Sequence, residues 1–100
     1  MIKWKIHTEN DVTSIDIFGH AGYAKRGQDI VCASVSTIVY YFVNCVQYID
    51  ESSIKYTIKD GDVKIKLVVV EIIKPLLEVF QLMLREVERQ YPTCIMETNQ

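Results

Sequence analysis

The chain has 100 residues, 49% of them hydrophobic and 24% charged, a balance suited to one globular domain over residues 1–100 and unlike that of a disordered segment. Its net charge is −2, so there is no excess of lysine and arginine to release counterions from a phosphate backbone, and nucleic acid is not expected as a direct partner. The three cysteines, Cys32, Cys45 and Cys94, form an odd set without metal-ligand spacing; this argues against a disulfide framework or a zinc ribbon and for free thiols in a reducing, cytoplasmic setting.

The first residues, Met1-Ile2-Lys3-Trp4-Lys5, alternate charged and apolar side chains, unlike the continuous apolar stretch of a signal peptide. No uninterrupted apolar run approaches the roughly 20 residues that cross a bilayer, so no membrane partner is expected. Ile2, Trp4 and Ile6 alternate with Lys3, Lys5 and His7, the period of a strand with one buried face. After the turn Glu9-Asn10-Asp11, Thr13, Ile15 and Ile17 alternate with Val12, Ser14 and Asp16, which predicts a second strand antiparallel to the first.

From Ile30 to Ile49 the period changes. Val31, Val35, Ile38, Phe42, Val46 and Ile49 recur at steps of three and four, predicting a long amphipathic helix with Asp29 as its cap. Ile54, Tyr56 and Ile58, the turn Asp60-Gly61, and Val63, Ile65, Leu67 and Val69 predict a second hairpin. Pro75 suits the first turn of another helix, with Leu76, Leu77, Phe80, Leu84, Val87 and Tyr91 as its apolar stripe and Pro92 as its stop. Cys94 to Glu97 reads as a short final strand. The order ββαββα(β) predicts a two-layer α+β domain, an antiparallel sheet packed by two helices.

Three of the four glycines, Gly19, Gly22 and Gly27, lie between the second strand and the first helix, which predicts a mobile loop there. If Asp29 is the cap, Cys32 stands in the first helical turn, whose unpaired amides favour a thiolate. His20, at the end of the preceding strand, is placed to act as base for that thiol and to protonate a leaving amine. Asp29 either caps the helix alone or also orients His20 as a third member. Backbone amides around Cys32 are candidates for an oxyanion hole.

On spacing alone, a single helical cysteine reads as a small buried hydrophobe. Lys25 and Arg26 in the glycine-rich loop give a rival reading, a non-catalytic module holding an anion at the helix start, although the Walker and dinucleotide spacings are absent. No metal or cofactor is expected, since His7, His20 and Cys32 lack a fourth zinc partner. Cys45 lies about 220° around the helix from Cys32 and points to core packing. Cys94 reads as structural and His7 as solvent-facing.

Gly19-His20-Ala21, followed by Gly27-x-Asp29-Ile30-Val31-Cys32-Ala33-x-Val35-Ser36, resembles the signature of the ribosomal-processing cysteine protease family Prp. The resemblance extends to chain length, to the two hairpins and two helices, and to Tyr91-Pro92 after the last helix. The departures are Ser34, where the family often has alanine, and Val79, where it often has glycine. The resemblance implies a cysteine endopeptidase without cofactor, with Cys32 as nucleophile, His20 as general base and acid, and the motif aspartate at Asp29. It further implies a ribosomal protein precursor as peptide substrate, a large-subunit protein whose N-terminal extension is cut off after aromatic residues, and a homodimer.

In this reading the peptide lies beside Gly22, Tyr23, Lys25, Arg26 and Gly27, with Ser36 also lining its path. Tyr40, Tyr41, Phe42 and Tyr48 make the first helix more apolar than one sheet face requires, which suits a dimer interface or an aromatic-binding pocket. A ribosome-assembly factor that holds the same precursor uncut is the alternative within that setting.

Overall fold

The structure, a computed structural model, describes residues 1–99. Along the chain it contains β1 (Ile2–Glu9), β2 (Val12–Phe18), α1 (Ile30–Asp50), a 3-10 turn (Glu51–Ser53), β3 (Ile54–Lys59), β4 (Asp62–Val68), α2 (Lys74–Gln90) and β5 (Ile95–Glu97). The strands form one sheet in the order β3-β4-β2-β1-β5. The pairs β1–β2, β2–β4 and β3–β4 are antiparallel.

β5 pairs parallel to β1, so the sheet is mixed where an antiparallel one was expected. The reason is the connection: α2 carries the chain back over the sheet, and β5 then enters along the direction of β1. Bonds from the Ile2 amide to the Cys94 carbonyl and from the Thr98 amide to the Trp4 carbonyl, both 2.8 Å, fix that edge.

Both helices cover one face of the sheet. Trp4, Ile15, Ile17, Ile65 and Leu67 project into the core from the strands, Val31, Val35, Val39, Phe42, Val43 and Val46 from α1, and Leu77, Phe80, Leu84 and Val87 from α2. Phe42 and Phe80 stack with centroids 4.5 Å apart, joining the two helices. The stripe on α1 is shifted from the expected one: Val39 and Val43 are buried, Ile38 packs at the margin, and Ile49 is 40% exposed. α1 faces a broad sheet as well as α2, so its buried stripe is wider than one line at steps of three and four.

The segment Ile30–Ser53 is long and apolar enough, by length and composition, to cross a bilayer, contrary to the reading of the sequence by uninterrupted runs. Its apolar character has a use in the fold, since six of its valine and phenylalanine side chains fill the core. Across the sheet, Lys3, Lys5, Lys55, Lys59, Lys64 and Lys66 alternate with inward-facing residues and project from the face without helices. Asp16 and Asp62 share that face, and Lys64 reaches Asp16 at 3.4 Å.

Phe80→Ala removes a side chain that is 2% exposed together with its stacking on Phe42. It is expected to lower stability by about 3–5 kcal/mol, read from urea unfolding midpoints.

Candidate active site

The site forms where β2 ends, the β3–β4 turn comes round and α1 begins. Gly19 leaves β2 with φ +98, and a Cβ there would collide with the carbonyl oxygen of Met1. Its amide donates to the carbonyl of Gly61 at 3.0 Å, so residue 20 is held beside the β3–β4 turn. The imidazole of His20 lies over Gly61: a Cβ on that residue would sit 2.7 Å from Nε2. Nδ1 is 4.0 Å from Oδ1 of Asp60, and Oδ2 of Asp60 is 3.3 Å from the guanidinium of Arg26.

Cys32 is the third residue of α1 and half-buried, packed at the edge of the core. Buried Ala21 sends its amide toward the sulfur, 3.4 Å from Sγ. That amide is a donor directed at the sulfur from the loop side of the cleft.

Asp29 caps α1. Its Oδ1 accepts from the amides of Val31 and Cys32, both at 3.0 Å, while Oδ2 accepts from Tyr23 at 2.9 Å and Ala24 at 3.3 Å. One carboxylate thereby satisfies first-turn amides of the helix and also ties the glycine-rich loop to them. Desolvation pushes its pKa up, but the hydrogen bonds from Cys32, Ala24, Tyr23 and Val31 outweigh this and hold it below its ordinary value of 3.8. Of the two roles open to Asp29, its contacts are those of a cap; among the described residues it makes no bond to His20.

The same bonds remove two of the expected features. The amides of Val31 and Cys32 are spent on the Asp29 side chain and that of Ala33 on the Asp29 carbonyl. They are therefore unavailable as an oxyanion hole around Cys32, and equally unavailable to the anion of the rival reading. Arg26 is likewise engaged, with Asp60.

His20 and Cys32 line one cleft without a hydrogen bond between them among the described residues. It has a recess of about 240 Å³ that also includes Ser36, Tyr40, Asp60 and Gly61. A second, of about 600 Å³, runs along the loop past Gly22, Ala24, Arg26 and Gly27 and shares His20, Cys32, Ser36 and Asp60 with the first. Gly22, Arg26, Gly27 and Ser36 thus line the cleft that holds His20 and Cys32. Tyr23 does not: it packs edge-on against Tyr91, with centroids 5.5 Å apart, and neither it nor Lys25 lines either recess.

Asp60, Gly61 and the Ala21 amide were not expected at the site. Asp60-Gly61 reads in sequence only as a hairpin turn, and the register that brings it to His20 is a long-range property of the sheet. No group of three His, Cys, Asp or Glu residues is placed to hold a metal among the described residues. His7 is exposed beside Glu9, Cys45 is half-buried in the groove between α1 and α2, and Cys94 is buried.

A thiol at a helix start and an imidazole along one open cleft, on an α+β sheet, are the equipment of a cysteine protease. The sequence matches the family Cysteine protease Prp over residues 1–96, and the chain belongs to that family. It is 42% identical over 48 residues, 46% of its length, to the ribosomal processing cysteine protease Prp of Bacillus subtilis (strain 168), and this match spans 43% of that protein. The crystal structure of an essential ribosomal processing protease Prp from S. aureus, in complex with a covalently linked product peptide, is similar with a TM-score of 0.87 at 25% identity, covering 98% of each chain. SMU.848 from Streptococcus mutans gives a TM-score of 0.71 at 26% identity, over 98% of this chain and 92% of that one.

Asp29→Asn keeps an acceptor for Val31 and Cys32 but sets amide hydrogens against those of Tyr23 and Ala24. Because the folded pKa of Asp29 is depressed, the carboxylate's stabilisation is complete well above 3.8 and is lost as pH falls through the folded value. The variant is expected to be about 1 kcal/mol less stable at neutral pH. That gap should close in acid, as followed by urea unfolding across a pH series.

Proposed function

We propose that this chain is a cysteine endopeptidase that removes the N-terminal extension of a large-subunit ribosomal protein, cutting after aromatic residues. The observation that carries the reading is Cys32, set in the first turn of α1 with an amide aimed at its sulfur and lining the same cleft as His20, in a chain of the Prp family. The S. aureus relative with a covalently linked product peptide supports a peptide as the ligand.

His20 takes the thiol proton from Cys32, and the sulfur attacks the scissile carbonyl. The carbon–nitrogen bond then breaks as His20 returns the proton to the departing amine. Water, deprotonated by the same imidazole, hydrolyses the thioester and restores the thiol. For the first step the ring must turn from Gly61 to within about 3 Å of Sγ, the reach of a hydrogen bond.

The smaller recess offers Ile17, Val35, Val39, Ile58 and Val63 as an apolar floor with Tyr40 at its side, a surface suited to an aromatic side chain next to the cut bond. The precursor extends from there along Gly22, Arg26 and Gly27. The enzyme acts in the cytoplasm, where its three free cysteines persist as thiols. It acts as a homodimer, with the apolar groove of Tyr41, Cys45, Val79 and Met83 between the helices as the surface that meets a second copy.

Incubation of the purified protein with the extended ribosomal precursor, followed by mass spectrometry, is expected to give a single cut after an aromatic residue. Cys32→Ala should abolish it, and His20→Ala should slow it on the order of 10²–10⁴-fold. Cleavage that persists in Cys32→Ala ends this reading.

A further inference from the structure

We propose that Asp60 is the positioning residue of His20, a role that the sequence leaves open for Asp29 beside that of helix cap. The inference rests on His20 being the base of the proposed peptidase. Four backbone amides occupy the Asp29 carboxylate, whereas Asp60 places Oδ1 4.0 Å from Nδ1 of the imidazole.

The backbone sets this proximity. β2 and β4 pair with Phe18 opposite Asp62, and the bond from the Gly19 amide to the Gly61 carbonyl carries the ladder one step further. Residues 20 and 60 therefore emerge side by side at the same end of the sheet. Gly61, at φ +71, lets the chain turn there and leaves open the space where a Cβ would meet Nε2. Arg26 engages the other carboxylate oxygen of Asp60 at 3.3 Å, which steadies the group with Oδ1 toward the ring.

The side chains of His20 and Asp60 are 62% and 60% exposed, so their attraction is screened and adds little to stability. Its effect is on geometry. A carboxylate on the Nδ1 side selects the tautomer with its proton on Nδ1, and so leaves the Nε2 lone pair to receive the proton of Cys32. Closing the gap to hydrogen-bond length takes a shift of about 1 Å, and the carboxylate then serves as the pivot about which the ring turns from Gly61 toward the sulfur.

The test is steady-state cleavage of a synthetic peptide spanning the extension junction of the precursor, by the wild-type protein and its Asp60→Asn, Asp60→Glu and Cys32→Ala variants. Asp60→Asn is expected to lower kcat about tenfold with KM within about twofold, and Asp60→Glu to recover most of the loss. Nitrogen NMR of the His20 ring, which needs no substrate, should show the tautomer shifting away from Nδ1–H in Asp60→Asn. Unchanged kcat in Asp60→Asn, a loss confined to KM, or an unaltered tautomer overturns the proposal. Cleavage by Cys32→Ala overturns the peptidase reading itself, whereas an inactive Cys32→Ala beside a fully active Asp60→Asn removes Asp60 alone.

Discussion

The bonds made by the Asp29 carboxylate organise the site. A helix start exposes amides without partners, and an ionised carboxylate has room for about four donors. Here one side chain takes two amides from the helix and two from the loop, so the loop and the first turn of α1 behave as one piece. The positive field at the helix start is partly cancelled by the charge that caps it, while the Ala21 amide is directed at the sulfur from the loop.

The core sets where that piece sits. Val31 is fully buried and Val35 nearly so, and both flank Cys32 on α1, so packing against the sheet fixes the depth of the sulfur at the core's edge. His20 comes from the other layer, carried on the end of β2. The cleft is thus a seam between sheet and helix, and packing of the valine stripe and pairing of β2 with β4 jointly determine its width.

Much of this could be read from residues alone, for identifiable reasons. Alternation gave β1 and β2 because one face of each is dry and the other wet, and Asp60-Gly61 marked its hairpin because only a tight turn joins two such runs. The direction of β5 had no local signal, since three residues can pair with an edge either way and only the path of α2 decides. Ile38 and Ile49 fitted a single stripe, but a helix touching both a sheet and another helix buries a broader surface that draws in Val39 and Val43. His20 and Cys32 are candidates because their motif is contiguous in the chain. Asp60 was missed because no spacing rule connects it to His20; their closeness follows from strand register.

The open face of the sheet also escaped a reading based on total charge. A net charge of −2 hides the gathering of six lysines on one surface, with Lys55 directly opposite Lys66 on neighbouring strands. Like charges gathered on one face of a sheet oppose the approach of the same face of another copy. Two copies approaching front to front along this plane repel, over a range of about 10 Å at 0.1 M salt. Contact between two copies through this face is thereby disfavoured, and added electrolyte weakens the effect.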